Sequence, residues 1–222
     1  MSGQTHQRRK AAERWNERYG ASECVFGRDA SSFLRREIGG LGSSGEALDL
    51  AMGEGRNALF LAERGFRVTG VDASSTAVQR ARGLASERGL TLHAVVADVT
   101  CWPFRQHRWS LVVNVRFLSR ELLRRTADLL HPGGVFLMEN LSVDHPGIAD
   151  FGPTDPEKLL RPNEALGLLS GLRIVYYEDR VFDEDGRRAA LVRLIARKPE
   201  EARVGACRRE QGVETSPVLG RR

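Results

Sequence analysis

The stretch Glu46-Ala47-Leu48-Asp49-Leu50-Ala51-Met52-Gly53-Glu54-Gly55-Arg56-Asn57-Ala58 decides the fold. A short apolar run ends in an acid, turns at Gly53 and Gly55, and opens the helical pattern Leu59-Phe60-Leu61-Ala62. A strand–glycine turn–helix unit lets backbone N–H groups approach a small ligand, because glycine has no side chain in the way. The unit predicts a nucleotide-type cofactor site at the end of a strand.

Outward from it, strand and helix patterns alternate. Strands are expected at 46–50, 67–71, 92–97, 110–115 and 134–139, with helices near 56–64, 74–88 and 119–130. Such alternation implies a parallel sheet with right-handed crossovers. The helix over 119–130 buries Leu122, Leu123, Ala127 and Leu130 and stops at His131-Pro132-Gly133-Gly134. Beyond an irregular stretch, 141–157, and a short helix near Pro162 to Leu169, two long strands are expected at 172–179 and 188–197. They are joined by Asp183-Glu184-Asp185-Gly186, an Asp-Gly hairpin signal. Upstream, a helix over 5–19 carries Trp15 and Tyr19; another, about 30–38, presents Phe33 and Leu34 under an Asp29 or Ser31 cap. Residues 199–222 lack periodicity and are expected to form a disordered basic tail.

A chain of 222 residues supports one domain with a sizeable core. Its 41% apolar and 28% charged content is that of a soluble globular protein. Much of the +5 net charge sits at Arg8-Arg9-Lys10, Arg208-Arg209 and Arg221-Arg222, runs read as solvated ends and not as a nucleic-acid face. Cys24, Cys101 and Cys207 are scattered, which argues against a disulfide framework or a zinc cluster and for a reducing, cytoplasmic setting. No apolar signal-peptide core is visible at the N-terminus, and Leu111-Val112-Val113-Asn114-Val115 is too short to span a bilayer.

In an open parallel sheet, ligands bind at the carboxyl ends of the strands. Asp72 ends the second strand, placed to accept from a ribose diol. Asp98 ends the third, placed to accept from an exocyclic amine while the Val99 N–H donates to a ring nitrogen. Asp49 would face a cationic or amine group. Gly53-x-Gly55-x-x-Ala58 also satisfies the dinucleotide fingerprint. Carboxylates at 49, 72 and 98, however, disfavour a pyrophosphate and favour S-adenosylmethionine, which carries a sulfonium, an amine, a diol and adenine. A nicotinamide cofactor is the competing reading.

In this order of features the chain, over roughly residues 12–198, resembles a class I S-adenosylmethionine-dependent methyltransferase: acid at 49, glycine turn, acids at 72 and 98, Pro-Gly-Gly before strand five, terminal hairpin. Trp15-Asn16-Glu17-Arg18-Tyr19, Gly53-Glu54-Gly55-Arg56-Asn57-Ala58, Leu61-Ala62-Glu63-Arg64-Gly65 and Leu191-Val192-Arg193-Leu194-Ile195-Ala196-Arg197-Lys198 resemble its tellurite-resistance and thiopurine methyltransferase-like branch. The resemblance implies a three-layer Rossmann-like α/β fold with seven strands in the order 3-2-1-4-5-7-6, strand seven antiparallel. It divides the chain into an N-terminal helical lid (1–40), a methyltransferase domain (41–198) and the tail. The expected cofactor contacts are Tyr19, Asp49, Ala51, Gly53, Gly55, Arg56, Asn57, Asp72, Ala73, Asp98, Val99 and Asn114.

The chain departs from the family pattern at three positions. Ala51 stands where the first turn glycine is usual, Ser110 where strand four usually begins with Asp, and Ser119 where an aromatic-Leu-His-Arg tetrad has its histidine. Candidate catalytic groups are Glu139, as the obvious base, with Ser119 and Arg120. Arg116 and Arg120 are candidate contacts for an anionic acceptor; pairing with a surface carboxylate is the alternative for both, favoured at Arg116. Trp15 and Tyr19 either close over the cofactor or pack in a helical core, and Trp102 either lines the adenine site or anchors a loop. His93 and His131 are isolated, Cys101 is a plain thiol, and no metal constellation is visible.

The motifs of nucleic-acid methylating enzymes are absent, so the expected partner is a small-molecule methyl acceptor, with no membrane or obligate protein partner. A soft thiol or chalcogen nucleophile suits a site without a strong base. The alternative is a non-catalytic binding protein that keeps the fold with weakened or lost cofactor binding.

Overall fold

A computed structural model describes residues 2–22, 24–184 and 187–200. Strand β1 (Gly45–Leu50) pairs in parallel with β2 (Phe66–Asp72) on one side and β4 (Trp109–Val115) on the other. Outside these lie β3 (Leu92–Val96) and β5 (Leu130–Leu141), both parallel, then β7 (Arg187–Arg197) and β6 (Arg173–Glu184), both antiparallel to their neighbours. The order is 3-2-1-4-5-7-6, as expected. Its reversal between β1 and β4 opens the crevice in which such sheets bind ligands.

The sheet forms because its central strands are apolar on both faces. Successive side chains alternate between faces, so Leu111 and Val113 of β4 enter one core and Val112 the other. The first core is covered by α2 (Ser32–Glu37), α3 (Arg56–Ala62) and α4 (Ser75–Glu87), through Phe33, Leu34, Ala58, Leu61, Val78 and Ala81. The opposite core is covered by α5 (Arg120–Leu129) and α6 (Glu164–Leu168), through Leu122, Leu123, Leu129, Ala165 and Leu168. The N-terminal helix α1 (Ser2–Ala21) lies against α4. Asn16 holds it there: its Oδ1 accepts from Ser74 Oγ at 2.7 Å and from the Thr76 N–H at 3.2 Å.

Two elements differ from expectation. His131-Pro132-Gly133-Gly134 ends α5 but does not delay the strand, which starts at Leu130. The chain absorbs these residues as an irregularity, with Trp109 opposite Leu130 and Leu111 opposite Val135. The bulge is stitched to the start of the C-terminal segment: the Gly133 N–H donates to Lys198 O, and the Lys198 N–H to Gly134 O. A Cβ on Gly134 would stand 2.8 Å from Trp109 O, so the close approach requires glycine there. Strand β6 also runs on to Glu184 and not only to 179, because its outer half pairs with β7 and covers Leu141 and Leu159 with Phe182. The Asp185-Gly186 turn, Cys207 and the tail from residue 201 lie outside the described residues. Among the described residues no helix is long and apolar enough to cross a membrane.

Candidate active site

The turn after β1 is built by its neighbours. Ala51 and Gly53 have φ of +55° and +57°, and Gly55, the residue before α3, has φ +82°. The Gly53 N–H donates to Asp72 Oδ2 at 2.8 Å, and the Ser74 N–H to Asp72 Oδ1 at 2.8 Å. Asp72 thus braces the glycine turn of β1 from the end of β2. A Cβ on Gly53 would come within 2.6 Å of the Tyr19 hydroxyl, and one on Gly55 within 3.0 Å of Ala81 Cβ. The first glycine admits Tyr19 and the second admits α4.

Ala51, Gly53, Asp72 and Tyr19 border a cleft of about 380 Å³. Of the expected cofactor contacts, Tyr19, Ala51, Gly53, Arg56, Asn57, Asp72, Ala73, Asp98 and Val99 line it. Asp49, Gly55 and Asn114 do not; they stand behind the lining. Asp49 is 1% exposed, and its Oδ2 has no hydrogen-bond partner among the described residues. Burial pushes its carboxyl up to about 7, opposed by the Arg56 charge. Burial also raises Asp72, against the backbone N–H bonds of Ser74, Gly53 and Ala73. Asn114 Oδ1 accepts from Asn140 Nδ2 at 3.4 Å, while its own Nδ2 is buried without a partner among the described residues.

The roof of the cleft comes from α1 and the loop after it. Trp15, Tyr19 and Phe26 form an aromatic cluster with ring centroids 5.8–6.3 Å apart, and Arg18 stands over Trp15 and Phe26. Burial raises the Tyr19 phenol above its ordinary range. Glu54 fastens the roof: it accepts the Cys24 N–H at 3.2 Å and the Val25 N–H at 2.9 Å, and pairs with Arg80 of α4 at 2.9 Å. Arg56 Nη1 donates to Phe26 O at 2.9 Å, and Asn57 Oδ1 accepts the Ser31 N–H at 2.9 Å. Arg8 lines the cleft and pairs with Asp98 at 3.3 Å, so the basic run read as a solvated end contributes a contact. Glu54 was hidden in plain view between two glycines; only the folded chain shows that the loop after α1 lands on it. Trp102 lies edge-on to Phe104 against the α5-side core, the loop-anchor alternative.

The expected catalytic groups lie elsewhere than the cleft. Glu139 is 2% exposed and receives Arg193 Nε at 2.8 Å and Nη2 at 2.7 Å, with Arg116 Nε at 3.4 Å on its other oxygen. With guanidiniums on both of its oxygens, Glu139 has a pairing role in this geometry. Ser119 caps α5, its Oγ accepting the Leu122 N–H. Arg120 pairs with Glu164 at 2.6 Å and donates to the carbonyls of Glu157 and Leu159, clamping the segment before α6. Ser110 Oγ donates to Glu46 O and nearly fills the space beside Gly45, so a small residue suits that position. Arg116, for which pairing with a surface carboxylate is the favoured expectation, pairs with a buried one, Glu139, and also lines the cleft, with φ +63° at the end of β4. Ala51 and Arg116 are thus two non-glycine residues in the left-handed region at adjacent strand ends, a conformation that costs about 1–3 kcal/mol and clusters at functional sites.

The model of a methyltransferase domain family matches residues 47–134, which run from β1 to the Pro-Gly-Gly bulge. The chain has a methyltransferase fold. Over 71 residues it is 42% identical to the 2-heptyl-1-hydroxyquinolin-4(1H)-one methyltransferase of Mycobacteroides abscessus, a match spanning 32% of this chain and only 31% of that protein. An S-adenosylmethionine-dependent methyltransferase of Methanosarcina mazei superposes with TM-score 0.62 at 20% identity, over 78% of this chain and 100% of that one. TehB of Haemophilus influenzae gives 0.65 at 16%, over 83% and 67%. The cyclase SpnF gives 0.69 at 16%, over 87% and 97%. At these identities the structures share the methyltransferase fold alone; the cyclase among them shows that the fold does not dictate the reaction.

The cleft suits the cofactor implied by this fold. The buried, unpartnered Asp49 oxygen offers an acceptor for an ammonium group, and Asp72 keeps acceptor capacity beyond its backbone bonds. Among the described residues no His/Cys/Asp/Glu group could hold a metal ion.

Proposed function

We propose that this protein transfers a methyl group from S-adenosylmethionine to a small-molecule acceptor. The observation that carries the reading is Asp72 bracing the Gly53 turn beside the buried, unpartnered Asp49 oxygen. Asp72 would hold the ribose diol, Asp49 the amine behind the turn, and Asp98 with Val99 the adenine. Tyr19 and Trp15 cover the cleft and keep water out. When bound, the cofactor would supply an electrophilic sulfonium methyl whose leaving group is a neutral thioether. The protein's part is alignment.

The acceptor is a thiol, a chalcogen or a ring-borne hydroxyl. The first two are supported by the likeness of the motifs to the tellurite-resistance and thiopurine branch, with TehB as a fold neighbour. The third is supported by the hydroxyquinolone in the name of the partly matched relative. The setting we propose is the cytoplasm, without a nucleic-acid, membrane or obligate protein partner.

A second reading, a non-catalytic binding protein with weakened or lost cofactor binding, is favoured by Ala51 in a left-handed turn position. Thermal denaturation separates the two. Ligand about 100-fold above its Kd stabilises by about 2.7 kcal/mol, a melting shift of about 5–10 °C for a domain of this size. A shift with S-adenosylhomocysteine and none with NAD is expected. No shift with either leaves the second reading standing.

A further inference from the structure

We propose that Arg8 of α1 is the latch of the cofactor cleft: its guanidinium covers the Asp98 oxygen that the adenine amine would use, and the cofactor enters by taking its place. The inference rests on the methyl-transfer reading above and adds how the roof closes the adenine end of that site.

Asp98 has one oxygen to offer. Its Oδ1 accepts from the Thr100 N–H at 2.9 Å and from Thr100 Oγ1 at 2.7 Å. A carboxylate oxygen has two acceptor directions, so Oδ1 is filled. Oδ2 faces Arg8 Nε at 3.3 Å. Arg8 and Asp98 line the cleft together, so the guanidinium borders the space a base would fill. Asp72 differs. The donors on its two oxygens are the Gly53 and Ser74 N–H groups, fixed parts of the strand ends. The partner of Asp98 Oδ2 is a side chain on a helix, and a side chain can be exchanged.

The helix grips weakly at that end. Residues 2–14 carry no apolar side chain larger than alanine. Among the described residues, Arg8 makes the one ion pair that joins this half of α1 to the rest of the protein; Arg9 pairs with Glu13 within the helix. The other half is held by Asn16 at the start of α4 and by Tyr19 over Gly53. The Arg8 side chain is 44% exposed, and exposed ion pairs are weak and screened by salt. Opening the latch therefore costs an entering ligand little, and an amine that donates to Oδ2 offsets the loss.

Titration of S-adenosylhomocysteine into the full chain tests the exchange. Arg8→Ala should bind it about two- to five-fold more tightly than the wild-type protein at low salt, the range set by an exposed pair, and Arg8→Lys should stay near wild type. Added salt should tighten binding to the wild-type protein and leave Arg8→Ala unmoved, the reverse of what a guanidinium that holds the ligand would give. S-inosylhomocysteine, with a carbonyl in place of the adenine amine, should bind Arg8→Ala about ten-fold or more weakly than S-adenosylhomocysteine, because Asp98 then faces an acceptor. Weaker or unchanged binding by Arg8→Ala, or a salt trend shared by both proteins, overturns the latch. Equal affinity of Arg8→Ala for the two ligands overturns the exchange at Asp98 and the latch with it. Absence of S-adenosylhomocysteine binding to either protein overturns the methyl-transfer reading instead.

Discussion

The backbone N–H of Gly53 donates to Asp72 Oδ2 at 2.8 Å, so the turn that ends β1 is held by the acid that ends β2. One carboxylate serves the fold and the proposed ribose site together. Asp72→Ala should therefore abolish the melting shift with S-adenosylhomocysteine and lower the stability of the ligand-free protein by about 1–3 kcal/mol, the cost of leaving buried donors unmade. Urea denaturation and thermal-shift titration read the two effects separately. A normal ligand shift in this variant would remove Asp72 from the site.

Asp49 links cofactor binding to pH. Burial lifts its carboxyl to about 7 in the folded chain, against about 3.9 unfolded. The folded state holds the extra proton between these values, so this group's contribution to stability is full at acid pH and falls as pH rises through about 4 to 7. A cationic amine beside the carboxyl favours its ionised form and expels that proton. In the window just below pH 7, where Asp49 is protonated in the free protein and ionised in the complex, cofactor binding should release up to one proton, and the release should vanish at more acid pH. Calorimetric titration in buffers of different ionisation enthalpy measures the release, which Asp49→Asn should eliminate.

Ala51 holds φ +55° where glycine would be unstrained. Ala51→Gly should stabilise the protein by about 0.5–1 kcal/mol, the left-handed penalty less the entropy glycine adds to the unfolded chain. Because Ala51 also lines the cleft, affinity for S-adenosylhomocysteine should rise. A destabilised variant in urea would show that the methyl group packs favourably.

Glu139 and Arg193 form a buried pair, and removing one partner strands the other. Glu139→Ala should cost about 3–5 kcal/mol, while the double variant with Arg193→Met should recover much of it. A Glu139→Gln protein with normal stability, normal ligand binding and no turnover would restore this residue as a base.

Glu54 fastens the roof of the cleft through the Cys24 and Val25 amides and Arg80. Glu54→Ala should speed amide exchange in α1 and the loop after it and weaken S-adenosylhomocysteine binding, with β1, β4 and β5 unaffected. Uniform exchange changes across the sheet would point to global destabilisation instead.

The architecture was legible in the chain because it depends on local signals. Apolar runs the length of a strand, amphipathic helical stretches and a glycine turn after Asp49 establish alternating β and α elements, and the acids at 49, 72 and 98 fall at strand ends by position alone. The resemblance to methyltransferases extended that pattern to a strand order. What the tertiary structure decided is which charges face one another. Glu139, Arg120 and Ser119 carry the right chemistry for a site, but their partners Arg193, Glu164 and the Leu122 N–H take them out of it. Glu139 and Arg193 are 54 residues apart in sequence and adjacent only because β7 runs antiparallel beside β5. Arg8, Glu54 and Arg116 enter the cleft by the same kind of long-range placement. Backbone periodicity is a property of neighbours along the chain, whereas the pairing of side chains depends on how distant segments close on one another.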